Sequence, residues 1–285
     1  MASRPNLTVQ QLEYLVAVAD APTWADAAAD VGVSPSALSQ GLAELERRVG
    51  MPLFERQGRR RLVAPSAVPV LAHARVVLAR TSDLAGWVDR TRAGATGAVR
   101  LGMVDIAAVA HYPTVLRRFR QQRPDVDLRL TVAPSGALLT GLGRAELDLV
   151  VCVEPPRPVD GIEWHHLRSD DLAVYAPPGV TAGRPSMWGP WVSFPDGSHS
   201  RAVIAAALRR AGARFDVVAE SHQPEVLREM VRLGLGWTVL PTVQAAPLHP
   251  VRAQPLATRR LVVARRIAAT PLFAADALVV ALEHA

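Results

Sequence analysis

Apolar residues recur at helical spacing from the start of the chain. Leu12, Leu15, Val16 and Ala19 stand at i, i+3, i+4 and i+7, the stripe of one amphipathic helix, and Thr8 with Gln11 forms a T-x-x-Q capping box ahead of it. A second, shorter helix is expected after Thr23, which reads as an N-cap with Asp26 three residues on to reach back. Its Ala27, Ala28 and Val31 are small enough for another helix to pack closely across it. Gly32 and Val33 make a tight turn, Ser34 caps, and Pro35 takes the first helical position, where a missing N–H costs nothing. Leu38, Leu42, Leu45 and Val49 then form the buried stripe of a third helix, which Gly50 ends.

The opposite side of that third helix is unusual. Ser36, Ser39, Gln40, Ala43 and Arg47 fall there, mostly short, polar and uncharged, where a solvated helix ordinarily carries Glu and Lys. A helix lying in a DNA major groove needs small residues near its N-terminus for close approach, with Ser and Gln to hydrogen-bond base edges. The plainer alternative is a surface helix hairpin. Next comes MPLFERQGRRRLV, read as a β-hairpin turning at Gln57-Gly58 with Arg56, Arg59, Arg60 and Arg61 around its tip. Beside a groove-facing helix, such a cluster is placed for phosphates or a narrow minor groove; alone it would be a charged, solvated turn.

Residues 66–92 read as one long helix. Val70, Ala74, Val77, Thr81, Leu84 and Val88 alternate spacings of four and three, a heptad seam flanked by Leu71 and Leu78. That seam packs either on its own domain or on a second copy of the chain. The Gly- and Ala-rich stretch Arg92 to Gly97 marks a boundary, beyond which strands and helices alternate. Strands are expected at Val99–Met103, Asp127–Val132, Asp148–Val153, Leu172–Tyr175, Trp191–Phe194, Phe215–Ala219, Trp237–Leu240 and Arg260–Ala264. Helices are expected at Val109–Gln121, from Ser135, and at Arg201–Ala211, Pro224–Leu233 and Leu272–Glu283. Alternation of this kind predicts a parallel α/β sheet.

Residues 7–67 resemble the winged helix-turn-helix of LysR-type transcriptional regulators. The match is carried by Leu12, Leu15, Thr23-Trp24-x-x-Ala27-Ala28, Val33-Ser34, Ala37-Leu38-Ser39, Leu45-Glu46, Gly50 and Leu53-Phe54-Glu55-Arg56. Trp24 stands where the family has Phe, and Gly41 sits mid-helix where a helix former is expected. Val63-Ala64 and Ala67 replace the family's Leu-Thr and Gly, which leaves Ser66 as a substitute cap. Further along, Phe119 with Arg123-Pro124-Asp125-Val126, Glu146-Leu147-Asp148, and Val231-x-Leu233-Gly234-Leu235-Gly236 through Leu240-Pro241 resemble the family's effector domain.

The resemblance implies an α + α/β chain. It would have a winged helix-turn-helix over 1–65, a linker and dimerisation helix over 66–92, and a two-lobed effector domain over 93–285 like type 2 periplasmic binding proteins. Lobe I would take about 97–166 plus 267–285, and lobe II about 167–266. It also implies a homodimer, pairing again into a tetramer, whose recognition helices meet one face of double-stranded DNA about 34 Å or a multiple of it apart. A small-molecule effector would sit between the lobes, and the family reading leaves RNA polymerase as a further partner.

Composition narrows this without changing it. The chain has 285 residues, 49% hydrophobic, enough for two or three folded domains. All 32 of its basic residues are Arg, and the net charge of +6 permits nucleic-acid binding without requiring it. The single cysteine, Cys152, lies in an apolar run, so an intramolecular disulfide is excluded. Neither an export signal nor a membrane-spanning run is visible, which places the protein in the cytoplasm and speaks against a solute-binding transport receptor.

Base reading and phosphate contact are therefore assigned to Thr23, Ser34, Pro35, Ser36, Ser39, Gln40, Arg56, Arg59 and Arg60. Effector contacts are expected where open sheets bind ligands, beyond the carboxyl ends of strands, in the loops Val104–Ala108, Ala133–Gly136, Phe194–Arg201 and Glu220–Gln223. The residues singled out there are Asp105, Ile106, Ser135, Gly136, Phe194, Ser198, His199 and His222. Family members often hold a carboxylate with a Ser or Thr after the first strand, where this chain has Asp105. An acid facing the cleft would favour a neutral or cationic effector; alternatively Asp105 is a helix N-cap turned away. Ser135 and Ser198 read most simply as N-caps. Gly141-Leu142-Gly143 lacks the context of a phosphate loop, and neither a metal-ligand spacing nor a nucleophile–base pair is visible. No cofactor and no enzymatic activity are expected. The reading is a sequence-specific transcriptional regulator; the alternative is an effector-independent DNA-binding protein whose C-terminal domain only oligomerises.

Overall fold

The computed structural model describes residues 6–57, 60–92, 97–181, 183–267 and 272–285. The chain divides into two compact units, 1–89 with 143–145, and 90–142 with 146–285.

In the first unit, α1 (Val9–Asp20) begins with the expected capping box: Thr8 Oγ1 accepts from the Gln11 N–H at 3.2 Å and Gln11 Oε1 from the Thr8 N–H at 3.1 Å. The start of α2 (Trp24–Asp30) is half of such a box. Thr23 Oγ1 accepts from the Asp26 N–H, but Asp26 takes the Thr23 hydroxyl at 2.7 Å rather than its backbone N–H. α3 (Pro35–Val49) is capped by Ser34, whose Oγ accepts from the Ala37 N–H at 3.2 Å, and it ends at Gly50 in the left-handed region, φ 80°. Leu12, Leu15, Ala27, Ala28, Leu38, Leu42 and Leu45 bury their side chains in one core.

Gly41 has a packing reason. A Cβ there would sit 2.7 Å from Cδ2 and Cε2 of the Tyr14 ring, so α1 and α3 approach as closely as they do only because position 41 carries no side chain.

The strands β1 (Phe54–Gln57) and β2 (Arg60–Val63) pair antiparallel, Phe54 opposite Val63 and Gln57 opposite Arg60. The long helix starts slightly later than expected, a tight turn at Pro65–Ala67 leading into α4 (Val68–Arg92). Ser66 lies inside that tight turn; extended Ala64 precedes Pro65 and makes no side-chain cap bond. The seam divides. Leu71 and Ala74 are buried, and Val70, Val77 and Leu78 pack on the core of their own unit, whereas Thr81 is exposed and Leu84 keeps 58% of its surface in solvent.

The second unit is built on a sheet of order β4-β3-β5-β10-β6-β9. β3 (Ala98–Met103) pairs parallel with β4 (Asp127–Val132) and with β5 (Leu149–Val153). The expectation of a parallel sheet fails beyond β5. β10 (Ala257–Arg266) runs antiparallel to β5 and to β6 (Ile162–Tyr175), and β9 (Thr238–Pro241) antiparallel to β6, so the sheet is mixed. β6 is also far longer than the expected Leu172–Tyr175. Its first half, EWHHLRSDD, has no continuous apolar run because that part is only partly covered.

α5 (Pro113–Gln122), α6 (Ser135–Gly143) and α9 (Phe273–Glu283) belong with the first part of this sheet; the expected helix Val109–Gln121 is broken, one wide turn at Ala107–His111 preceding Pro113. α7 (His199–Arg210), α8 (Pro224–Arg232) and the parallel pair β7 (Trp191–Ser193) and β8 (Val217–Glu220) belong with the second. Two cores result. One gathers Leu101, Met103, Leu138, Val151 and Leu278, the other Leu172, Tyr175, Trp191, Ile204 and Trp237. β6 and β10 contribute to both.

Gly41→Ala forces the Tyr14 ring to move. The overpacking is expected to cost about 1–3 kcal/mol, against about 1 kcal/mol gained in helix propensity. Thermal unfolding is expected to show a net loss for the single variant and a clear non-additive recovery when Tyr14→Ala is combined with it.

Candidate DNA-reading face and effector cleft

On α3, Ser36, Ser39, Gln40, Ala43 and Arg47 are all exposed, and so are Ser34 and Pro35 at its N-terminus. The buried Leu38-Leu42-Leu45 stripe fixes this by facing the other way. Ser34 and Ser36 hydroxyls lie 3.0 Å apart. Thr23 is exposed at the start of α2, its hydroxyl already shared with Asp26. Arg47 is less free than its exposure implies. Glu44 accepts from its Nε at 2.8 Å and from Arg48 Nε at 2.5 Å, and these two hydrogen bonds hold the Glu44 carboxyl down at about 2. Arg59 lies outside the described residues, as does Gly58 at the hairpin tip. Arg56 and Arg60 are on described strands, but their side chains lie outside the description.

One residue tying helix to wing was not singled out from sequence. Glu46, on α3, turns its Oε1 toward the strand side and accepts from the backbone N–H of Leu53 at 2.8 Å and, more weakly, of Phe54 at 3.4 Å. The Phe54 ring meets Trp24 edge-on, centroids 5.2 Å apart, so the wing is held against both helices of the pair. Only the spacing of Glu46 ahead of Gly50 and Leu53 hints at this in the sequence.

In the second unit, the carboxyl ends of β3 and β5 and the start of α7 come together. Ser135 is the first helical residue of α6 rather than its cap; its Oγ accepts from the Val153 N–H at 3.2 Å. The Val153 carbonyl bonds in turn to His199 Nδ1 at 2.9 Å, so one residue of β5 joins two of the expected effector residues. Asp105 is not a free acid: its Oδ2 accepts from Gln244 Nε2 at 2.7 Å. Gly136 is exposed, and Ser198 precedes α7 without a side-chain cap bond.

Three expected residues fall elsewhere. Ile106 is wholly inside the first core, Phe194 is buried in the second with its carbonyl accepting from Arg201, and His222 is an exposed loop residue. Unforeseen were His111, Asp170, Ser200 and Arg259, which meet in the interior. His111 Nε2 lies 2.8 Å from Asp170 Oδ1, and Arg259 Nη1 donates to Ser200 Oγ at 2.8 Å. Nothing in the sequence reveals that β6 and β10 set Asp170 opposite Arg259. Among the described residues no group of three or more His, Cys, Asp or Glu could hold a metal ion.

Residues 9–68 match the family model of the bacterial regulatory helix-turn-helix protein of the lysR family, and residues 92–284 match that of the LysR substrate binding domain. The chain belongs to the LysR family. A relative from Streptomyces viridosporus, named a probable hydrogen peroxide-inducible genes activator, is 30% identical over 99% of this chain and 95% of its own length. Among solved structures, a full-length OxyR variant from Pseudomonas aeruginosa shares the fold with a TM-score of 0.58 at 21% identity, covering 98% of this chain and 95% of that one. The full-length CbnR complexed with target DNA does so with a TM-score of 0.57 at 18% identity, covering 98% and 99%. This LysR-family protein is accordingly a DNA-binding transcriptional regulator with a small-molecule-responsive domain, and not an enzyme.

Glu46→Ala leaves two backbone donors at the base of the wing without a partner, a cost of about 1–3 kcal/mol where they are buried. Amide exchange of Leu53 and Phe54 is expected to accelerate tenfold or more, while Glu46→Gln, which keeps an acceptor oxygen, retains most of the protection.

Proposed function

We propose that Ser36, Ser39 and Gln40 on α3 read base edges in the major groove, with Thr23, Ser34 and Pro35 against the backbone. Arg56, Arg59 and Arg60 on the hairpin meet phosphates or the minor groove. The observation that carries this is the exposed α3 face, short and uncharged from Ser36 to Ala43, opposite a fully buried leucine stripe. Two copies of the chain pair through the second half of α4, where Leu84 stays exposed while the first half of the seam is covered by its own unit. Pairing of these dimers into tetramers, and contact with RNA polymerase, complete the regulator's assembly in the cytoplasm, where its DNA is.

The effector enters between the two cores of residues 97–267, against Asp105, Ser135, Gly136, Ser198 and His199. Asp170 is matched there by Arg259 and, at 4.0 Å, by Arg168, while Asp105 is held by the neutral Gln244 and acts on Arg259 from further off. A neutral ligand, or one cationic at Asp105, fits this arrangement better than an anion, because the Asp105 carboxylate has only a neutral direct partner among the described contacts. A thermal-shift panel of small acids, amines and uncharged metabolites tests this; strong stabilisation by a simple carboxylate, lost in Asp105→Asn, overturns it.

A redox switch is a poor fit, whatever the names of its relatives. Cys152 is the chain's sole cysteine, wholly buried in β5, and burial pushes its thiol up to about 12. A thiol so far from its thiolate is a weak nucleophile. Iodoacetamide at pH 8 is expected to spare Cys152 in the native protein and to alkylate it readily in urea.

Base reading predicts that Ser39→Ala or Gln40→Ala relaxes operator preference by about 1–3 kcal/mol per contact. Arg59→Ala is expected to weaken binding to all duplexes and to flatten its salt dependence. Gel-shift titrations of operator and random duplex across salt concentrations separate the two effects; a change confined to base preference in Arg59→Ala overturns the assignment.

A further inference from the structure

Charged and polar side chains from four elements converge where neither strand pairing nor apolar packing requires them. Asp170 on β6 and Arg259 on β10 are direct cross-strand partners, and each side chain is only 4% exposed. Arg259 Nε and Nη2 both lie 3.3 Å from Asp170 Oδ2, and its Nη1 holds Ser200. Asp170 Oδ1 faces His111.

The placement of the outer two residues gives the cluster its meaning. His111 closes the wide turn after β3, next to Tyr112 of the first core. Ser200 opens α7, whose Ile204 belongs to the second core. The ion pair on the two shared strands is thus held from both sides, and two further polar contacts cross between the same parts, Asp105 with Gln244 and His199 with Val153.

We propose that this cluster is a latch fixing the two halves of the regulatory domain against each other, and that proton uptake by His111 releases it. The proposal deepens the effector reading, since the latch would set the opening of the same cleft.

The charge arrangement supports the direction. His111 faces Asp170, Arg168 and Arg259 and stands beside Tyr112, while Asp105 acts in turn on Arg259. With two acids against two guanidiniums, a neutral imidazole leaves the group balanced. Burial, the largest influence, and the two arginines hold His111 below its ordinary pKa of 6.5, with Asp170 opposing them. Neutral His111 therefore favours the latched arrangement above that pH. An imidazole returned to water regains its ordinary proton affinity, so as pH falls below 6.5 the equilibrium shifts toward the released arrangement. Guanidiniums and carboxylates ordinarily keep their charges across this range, which leaves His111 as the titrating group inside the cluster. His199, beside Ser200 at the start of α7, is the other imidazole at this junction, and the His111→Gln variant separates the two.

The test uses the full-length protein without ligand. Hydrogen-exchange protection, corrected for intrinsic rates, is compared at pH 7.5 and 5.5. Segments 104–108, 198–201 and 242–244 are expected to lose tenfold or more of their protection on acidification, with the central amides of β3 and β5 changing less than twofold. His111→Gln, polar but unable to take up a proton, is expected to abolish that selective loss. Ser200→Ala removes one grip without burying a new charge and is expected to lower protection of the same segments already at pH 7.5. An equal pH response in His111→Gln, or a loss spread evenly through the cores, overturns the proposal. Should His111→Gln not fold, direct titration of the His111 ring by NMR decides, a midpoint at or above 6.5 overturning it. Absence of any metabolite response would overturn the effector reading alone, because none of these measurements uses a ligand.

Discussion

The regulatory part of this protein depends on two antiparallel strands that belong to two cores at once. β6 and β10 pair along most of their length, with a register shift between Leu261 and Val262. On one side of that shift Val262 to Ala264 help complete the first core alongside β5; on the other, Leu172 to Tyr175 carry the second. A shared pair of strands joins the two halves while leaving each its own core. It also concentrates the consequences of any change in a few residues. Placing a buried ion pair there costs desolvation that apolar residues would avoid, which is why its contacts to both halves are informative.

The DNA-binding unit follows the opposite logic. Its three helices are fixed by short-range features, namely caps at Thr8, Thr23 and Ser34, a left-handed stop at Gly50 and closely packed alanines. Such features lie within a few residues of the structure they determine, so they are legible in sequence. Gly41 is visible there as an anomaly, but its cause is not, because Tyr14 lies twenty-seven positions away and helical phase alone does not say which ring meets which backbone.

The regulatory domain is legible as alternating elements and much less so as a topology. Strand direction depends on where a chain goes after it leaves the sheet, and no local pattern distinguishes antiparallel β10 from another parallel strand. The first half of β6 gives no strand signal because its partly covered faces carry Glu163, His165, His166 and Arg168 rather than an apolar run. The cleft suffers most. Asp105, Ser135 and His199 do lie beyond strand ends, but their partners, Gln244 and Val153, follow only from the folded register. Ile106 and Phe194 stand close in sequence to such loops, yet both turn inward because they are large and apolar.

The separation of faces on α3 has an evolutionary consequence. Leu38, Leu42 and Leu45 do the packing, while Ser36, Ser39 and Gln40 stay out of the core, Ser36 sharing a hydroxyl contact with Ser34. Substitutions at the exposed positions are expected to cost little foldedness, and under the proposed base reading they are the ones that would alter operator choice. Position 41 is confined by comparison, since any side chain there meets the Tyr14 ring and forces it to move. Under that reading, descendants of this regulator could change target sites one residue at a time on the exposed side of the helix, whereas a change at position 41 carries the Tyr14 ring with it.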